Sequence, residues 1–406
     1  MEAIRSIPVV GHDAAVVIFA LLGLAAFAVL ALLGLRRRTL WAVLATVVVM
    51  GAVVFALSVW PKPFPDGIPA PVYASWAVGV FALAALIFGR RRVLLACVAV
   101  PAVLLAYLGT NTQYQQYPTV GAFHPVPVTV NMTLEQFQKT TSAPQLHGRE
   151  VGALVTVPAA PFRDLVAYIP PAYWHGANLP VLMLLSGSPG SPAGWFSDGQ
   201  AAQAADDFQQ DHDGKAPIIV GADGTGSTTG NPACIDGPDA QMQTYLAHDV
   251  PEVVKQTFRV EPDQSKWTVG GLSYGGTCAL QIVTNNPQSF GSFLDFSGEP
   301  EPSVGSHQKT VNQLFGGDEG AFRAVNPSTL LIRATGTQKY AGIHGRFVAG
   351  ENDPMSRTAL PHLNRLARAA GMDTTYTALP GGHSYQVWRV ALRENLDFVA
   401  QRGGIR

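Results

Sequence analysis

Hydrophobic positions follow two different rhythms along this chain. Four nearly unbroken apolar runs fill the first quarter: Ala14–Leu35, Leu40–Trp60, Tyr73–Gly89 and Val93–Gly109. A helix rises about 1.5 Å per residue, so ~20 apolar residues cross a hydrocarbon core of ~30 Å. The last two runs are short for that span but contain no charged residue. Only helices satisfy their own backbone polar groups in lipid, so the pattern predicts four transmembrane helices within residues 1–109. A cleaved export signal fits the first run poorly. Its basic cluster follows rather than precedes it, and three further runs come after.

The arginines set an orientation. Arg36–Arg38 separates the first two runs and Arg90–Arg92 the last two. Basic clusters beside a span stay on the cytoplasmic side, and both triplets fall in loops that one topology places inside. The Pro-rich segment Pro61–Pro71, the N-terminus and everything after Gly109 are then extracytoplasmic, in a multi-pass protein of the cell membrane. The runs hold no acid, histidine or lysine, so a transport role has nothing ionisable to build on. They read as an anchor in the lipid bilayer.

Residues 110–147 mix Gln, Tyr, Pro and Thr without long periodicity and read as a linker or as an edge of the next domain. From about residue 148 the rhythm changes. Ala153–Val157, Asp164–Ile169, Val181–Leu185, Ile218–Val220, Trp267–Val269, Ser292–Phe296, Arg346–Ala349 and Thr374–Ala378 read as strands. Tyr245–Phe258, Gly276–Thr284, Arg357–Ala370 and Gln386–Gln401 carry helical periodicity. Strands alternating with helices predict a mostly parallel sheet covered on both faces over residues 148–406.

Composition sharpens this division. Only 14% of residues are charged, against about 25% in soluble domains. Residues 1–109 hold eight Lys/Arg and three acids, which leaves the remainder net acidic. That excludes a basic nucleic-acid-binding surface. Three cysteines are too few for a disulfide scaffold or a Cys-type zinc site. Cys97 lies in an apolar run, so Cys234 and Cys278 are the pair that could join. Two separate buried thiols are the favoured reading, because sequence cannot bring two Cα atoms within bonding distance.

The chemistry centres on Gly271-Leu272-Ser273-Tyr274-Gly275, which follows a strand and opens a helix. A nucleophilic serine on a tight strand-to-helix turn needs small neighbours. Its hydroxyl is a poor nucleophile until a base takes the proton. His383 fits as that base, on a Gly381-Gly382 turn between a strand and the last helix, since in this fold the order is Ser, acid, His. The acid should leave the strand between them. Asp353 in Gly350-Glu351-Asn352-Asp353-Pro354 is the first choice and Glu351 the reserve, although Asp353 also suits the cap of the following helix. The oxyanion hole needs two backbone N–H groups. One comes from Tyr274 and the other from the loop Ser186–Pro192, where Pro189 and Pro192 have none and Ser188 is preferred over Gly190. Trp195 and Trp388 are expected to line the substrate. Glu299 and Glu301, near the carboxyl edge of the sheet, are read as surface acids, with a place at the border of the substrate cleft as the alternative. Asp211-His212-Asp213 has no further ligand spacing and reads as a solvated loop, so no metal or cofactor is expected.

Several motifs together resemble the esterase family that includes esterase D and the antigen 85 mycolyltransferases. They are Tyr168-Ile-Pro-Pro-Ala-Tyr173, Leu184-Leu-Ser-Gly187 with Trp195, Gly271-Leu-Ser-Tyr-Gly-Gly276 with Asn286-Pro287, Gly350-Glu-Asn-Asp353 and Gly382-His-Ser-Tyr-Gln-Val-Trp388. The resemblance implies an α/β-hydrolase fold, the Ser–His–acid set named above, no metal, and acyl-ester chemistry. The four-helix segment lies outside that family's pattern. A carboxylic-ester hydrolase at the outer membrane face is the leading expectation, acting on an ester substrate that includes membrane or envelope lipids. An envelope acyltransferase using the same residues, or a non-catalytic hydrolase-like membrane module, are the alternatives.

Overall fold

A computed structural model describes residues 2–34, 37–62, 67–238 and 240–405. Arg36 of the first arginine triplet and residues 63–66 of the Pro-rich segment lie outside the described residues. The chain divides into two compact units, Met1–Pro125 and Val126–Arg406.

In the first unit, four helices are long and apolar enough to cross a membrane: His12–Leu33, Arg37–Ser58, Ala70–Phe88 and Arg92–Tyr114. Small residues such as Ala82, Ala85, Ala99, Ala102 and Ala106 are buried between them, while Phe27, Val47, Ile87 and Val93 point outward. Close backbone approach through small residues is how helices pack when nothing outside is more polar than the interface. The last helix runs past the expected end at Gly109 to Tyr114. Asn111 explains the extension: its side chain exchanges hydrogen bonds with the backbone of Tyr117, at 2.8 and 2.9 Å.

The second unit is built on a nine-stranded sheet. Its strands are β1 (Val130–Thr133), β2 (Ala153–Val157), β3 (Leu165–Ile169), β4 (Val181–Leu185), β5 (Ile218–Ala222), β6 (Thr268–Leu272), β7 (Ser292–Phe296), β8 (His344–Gly350) and β9 (Asp373–Leu379). Their order is β1-β2-β3-β5-β4-β6-β7-β8-β9. All pairs are parallel except β2–β3 and β3–β5. The central strands β4 to β7 are buried along their whole length, which is why they read as continuous apolar runs rather than alternating ones. One hydrophobic layer packs on each face. This is the α/β-hydrolase fold.

The edge strand β1 and the helix Leu134–Lys139 occupy part of the stretch read as linker or edge. The helix Ala201–Gln210 and three short helices between His307 and Arg333 also had no counterpart among the expected elements. Contrary to expectation, Cys234 and Cys278 are joined in a disulfide, with Cα atoms 5.4 Å apart. The fold brings a loop residue distant in sequence onto the helix after Ser273, a proximity that spacing does not reveal.

Candidate active site

Strand order reverses at β4. The chain passes from β4 to β5 on one side and then crosses to β6 on the other. In open α/β sheets the crevice at such a switch, beyond the carboxyl ends of the strands, is where ligands bind. Leu185 pairs with Gly271 there, so the loop after β4 and the serine after β6 emerge side by side.

Ser273 sits at φ 54° and ψ −122° between β6 and the helix Tyr274–Asn285. Non-glycine residues rarely hold such a conformation unless their surroundings enforce it. The Ser273 N–H donates to the Phe296 carbonyl at 2.7 Å, which locks the turn to β7. The flanking glycines are required by space. A Cβ on Gly275 would lie 2.2 Å from the Leu185 oxygen, and one on Gly271 2.3 Å from the Gly275 carbonyl carbon.

Two loops bring in the partners. The backbone N–H groups of Glu351 and Asn352 donate to Leu379 and Gly381 at 2.8 Å each, lacing the loop after β8 to the loop after β9. His383 Nε2 then lies 2.9 Å from Ser273 Oγ, and His383 Nδ1 lies 2.8 Å from Asp353 Oδ2. The other Asp353 oxygen accepts the Ser356 N–H at the start of the next helix. Burial alone pushes the Asp353 carboxyl up, but hydrogen bonds from His383 and Ser356 and the His383 charge outweigh it and hold it below its ordinary value. Glu351 is exposed, and its carboxylate forms no hydrogen bond or ion pair among the described residues. Trp388 sets its ring perpendicular to His383, 5.1 Å away, so it backs the imidazole.

Tyr274 opens the helix, where its N–H has no intrahelical acceptor. Across from it, the loop 186–192 runs against the serine; a Cβ on Gly187 would sit 3.4 Å from the Ser273 Cβ. Of the two amides weighed in this loop, that of Gly190 is already engaged, donating its N–H to the Thr228 carbonyl. Arg163 pins this loop. It pairs with Asp223 at 2.6 Å and donates to the Gly190 carbonyl at 2.9 Å. Neither Arg163 nor Asp223 was among the expected site residues. The available signal was an aspartate directly after the apolar run of β5.

Two expectations are corrected. Trp195 lines no open pocket: it is fully buried and donates its indole N–H to the Leu185 carbonyl at 2.9 Å, fixing the base of the loop from inside. Glu299 is not a surface acid. It is 6% exposed, with its N–H on Thr277 Oγ1. Glu301 does reach the surface, where it contacts His307. His212 stacks flat on Phe208, 3.8 Å between ring centres.

Residues 163–399 match the family described as "Putative esterase". The chain belongs to that family. It is an ester hydrolase. An uncharacterized protein of Corynebacterium glutamicum is 51% identical over 398 residues, covering 93% of each chain; an alignment that long takes in most of the apolar helices. S-formylglutathione hydrolase of Paracoccus denitrificans is 26% identical over 185 residues, 42% of this chain and 63% of that protein. Among solved structures, an S-formylglutathione hydrolase from Agrobacterium tumefaciens superposes with a TM-score of 0.52 at 19% identity, over 64% of this chain and 98% of that one. That likeness supports the fold.

Proposed function

We propose that this esterase is a serine hydrolase that works through an acyl-enzyme on Ser273, tethered by four transmembrane helices with its catalytic unit outside the cytoplasm. The observation that carries the mechanism is the continuous hydrogen-bonded path from Ser273 Oγ through His383 to Asp353. In it, Ser273 Oγ attacks the ester carbonyl carbon while its proton passes to His383 Nε2. Asp353 holds Nδ1 protonated, which leaves Nε2 free to accept, and it stabilises the imidazolium that forms. The tetrahedral oxyanion takes hydrogen bonds from the N–H groups of Tyr274 and Ser188, worth most in a water-poor site. The imidazolium then returns its proton to the departing alcohol. Water, deprotonated by the same nitrogen, releases the acid and restores Ser273.

The position outside the cytoplasm rests on the arginine triplets. A tether beside the bilayer raises the effective concentration of lipid-borne esters, so acylated membrane or envelope lipids are the proposed substrate class. The test is to label membranes carrying the wild type and Ser273→Ala with a fluorophosphonate probe, then to profile lipids with and without the active enzyme. Labelling confined to the wild type, with loss of a lipid ester and release of free acid, is the expected result. Appearance of a new ester instead of free acid would assign acyl transfer to an alcohol. Equal labelling of both proteins would refute the role of Ser273.

A further inference from the structure

The helix Tyr274–Asn285 carries more than the nucleophile's turn. Three of its side chains, at 274, 278 and 281, occupy one face by their spacing and all reach one dipeptide, Ala233-Cys234. Tyr274 Oη accepts the Cys234 N–H at 2.9 Å and donates to the Gly224 carbonyl at 2.7 Å. Cys278 is bonded to Cys234. Gln281 Nε2 donates to the Ala233 and Cys234 carbonyls at 2.9 and 3.3 Å. Ala233 and Cys234 both stand at positive φ, 49° and 52°. Residues with a Cβ disfavour that region, and two in succession persist only where the surroundings over-determine them.

The upstream part of the same loop holds the segment that carries Ser188. Thr228 accepts the Gly190 N–H at 2.9 Å, and Gly230 accepts from Ser188 Oγ at 3.0 Å. Arg163, paired with Asp223 at the loop's start, donates to the Gly190 carbonyl. Among the described residues, these are the hydrogen bonds that residues 187–190 make to other segments. The two N–H groups facing the oxyanion therefore belong to separate pieces of chain, the helix and the 186–192 loop. The 223–238 loop ties one to the other.

We infer that the Cys234–Cys278 disulfide is a positioning device for the oxyanion hole. It fixes the 223–238 loop on the nucleophile's helix, and through that loop it sets where the Ser188 N–H stands relative to that of Tyr274. The inference rests on the acyl-enzyme reading of the site. Both sulfur-bearing residues are fully buried, so the bridge lies within the packing between loop and helix. A displaced oxyanion donor weakens binding of the tetrahedral intermediate and not of the ground-state ester, so its loss falls on kcat and spares KM.

The test uses the full-length protein in detergent and a p-nitrophenyl ester. The Cys234→Ala/Cys278→Ala double variant is compared with wild type for kcat, KM and melting temperature. Removing one oxyanion donor outright costs about 10²–10³ in kcat, so a donor left in place but loosened is expected to cost roughly 10- to 100-fold, with KM within about twofold. The variant's melting temperature must stay above the assay temperature. Should it fail to fold, Cys234→Ala/Cys278→Val carries the test, since it also removes the bridge and refills part of the space the sulfurs leave; the same loss in kcat at unchanged KM is then expected. A folded variant of either cysteine pair with wild-type kcat and only a lower melting temperature would overturn the inference. A wild-type protein that neither cleaves the ester nor takes up a fluorophosphonate would instead overturn the reading of the site itself.

Discussion

Asp353 divides its carboxylate between two tasks, with Oδ2 2.8 Å from His383 Nδ1 and Oδ1 accepting the Ser356 N–H that starts the following helix. Capping and orienting the histidine had looked like alternatives. The geometry lets one residue serve both, because the cap and the imidazole approach different oxygens. Substitution separates them. Asn caps about as well as Asp, so Asp353→Asn should melt within a few degrees of wild type. It should lose roughly 10⁴-fold in kcat, since an amide in that place favours the wrong imidazole tautomer. Glu351→Gln should be nearly silent in both. Paired melting curves and ester turnover check this, and a slow Glu351→Gln beside a normal Asp353→Asn would move the acid to Glu351.

Ser273 and His383 should behave as one unit. Ser273→Ala or His383→Ala alone is expected to lower kcat by about 10⁴–10⁶, and the double variant by little more, because either loss already abolishes acyl-enzyme formation. Turnover should be indifferent to EDTA. Additive losses in the double variant, or inactivation by the chelator, would contradict the mechanism.

Orientation has its own measurement. In a Cys97→Ser background, cysteines introduced at residues 66 and 406 should react with an impermeant maleimide in intact cells, and one at residue 37 should not. The two arginine triplets motivate this pattern. The reverse labelling would put the catalytic unit in the cytoplasm.

What the sequence made legible follows from how each feature is encoded. The central strands are buried on both faces, so their runs of Val, Ile, Leu and Phe stand out. The elbow, the Gly-Gly-His turn and the acid loop are local motifs at the ends of such strands. Strand β1 escaped because Val-Asn-Met-Thr alternates at an edge over only four residues, too short for periodicity to register. The helix Ala201–Gln210 is short and turns a face made mostly of alanines inward, with Phe208 its one large apolar side chain, so no run of large apolar residues marks it. Trp195 looked like a pocket wall because it follows a Gly/Pro loop; its indole turns inward to Leu185, a direction that depends on tertiary packing. The disulfide, the Arg163–Asp223 pair and the burial of Glu299 join segments distant in sequence, and the aspartate directly after β5 is the one local signal for any of them.

A buried carboxyl beneath the elbow gives the last prediction. Asp295 on β7 is fully buried; its Oδ1 accepts the Gly298 N–H at 2.9 Å, and its Oδ2 has no partner among the described residues. Gly276 on the helix after Ser273 and Gly298 both crowd it, since a Cβ on either would fall within 2.5 Å of Oδ1. Burial pushes this carboxyl up to about 7, against the smaller opposing effect of the Gly298 hydrogen bond. The raised value means that the folded state holds the proton more tightly than the unfolded chain does. The resulting stability is fully present below the unfolded value near 4, declines as the unfolded chain ionises, and is gone once pH passes the folded value near 7. Wild type should therefore lose stability between about pH 4 and pH 7 through this group, on the order of a few kcal/mol. Asp295→Asn keeps an acceptor for the Gly298 N–H and cannot ionise. Its stability relative to wild type should rise steadily across that window and level off above pH 8. Chemical denaturation of both proteins at pH 5, 6, 7 and 8 measures the difference. A constant offset between them at all four values would mean that Asp295 is already ionised at pH 5 in the folded protein as in the unfolded chain, so that burial does not raise it.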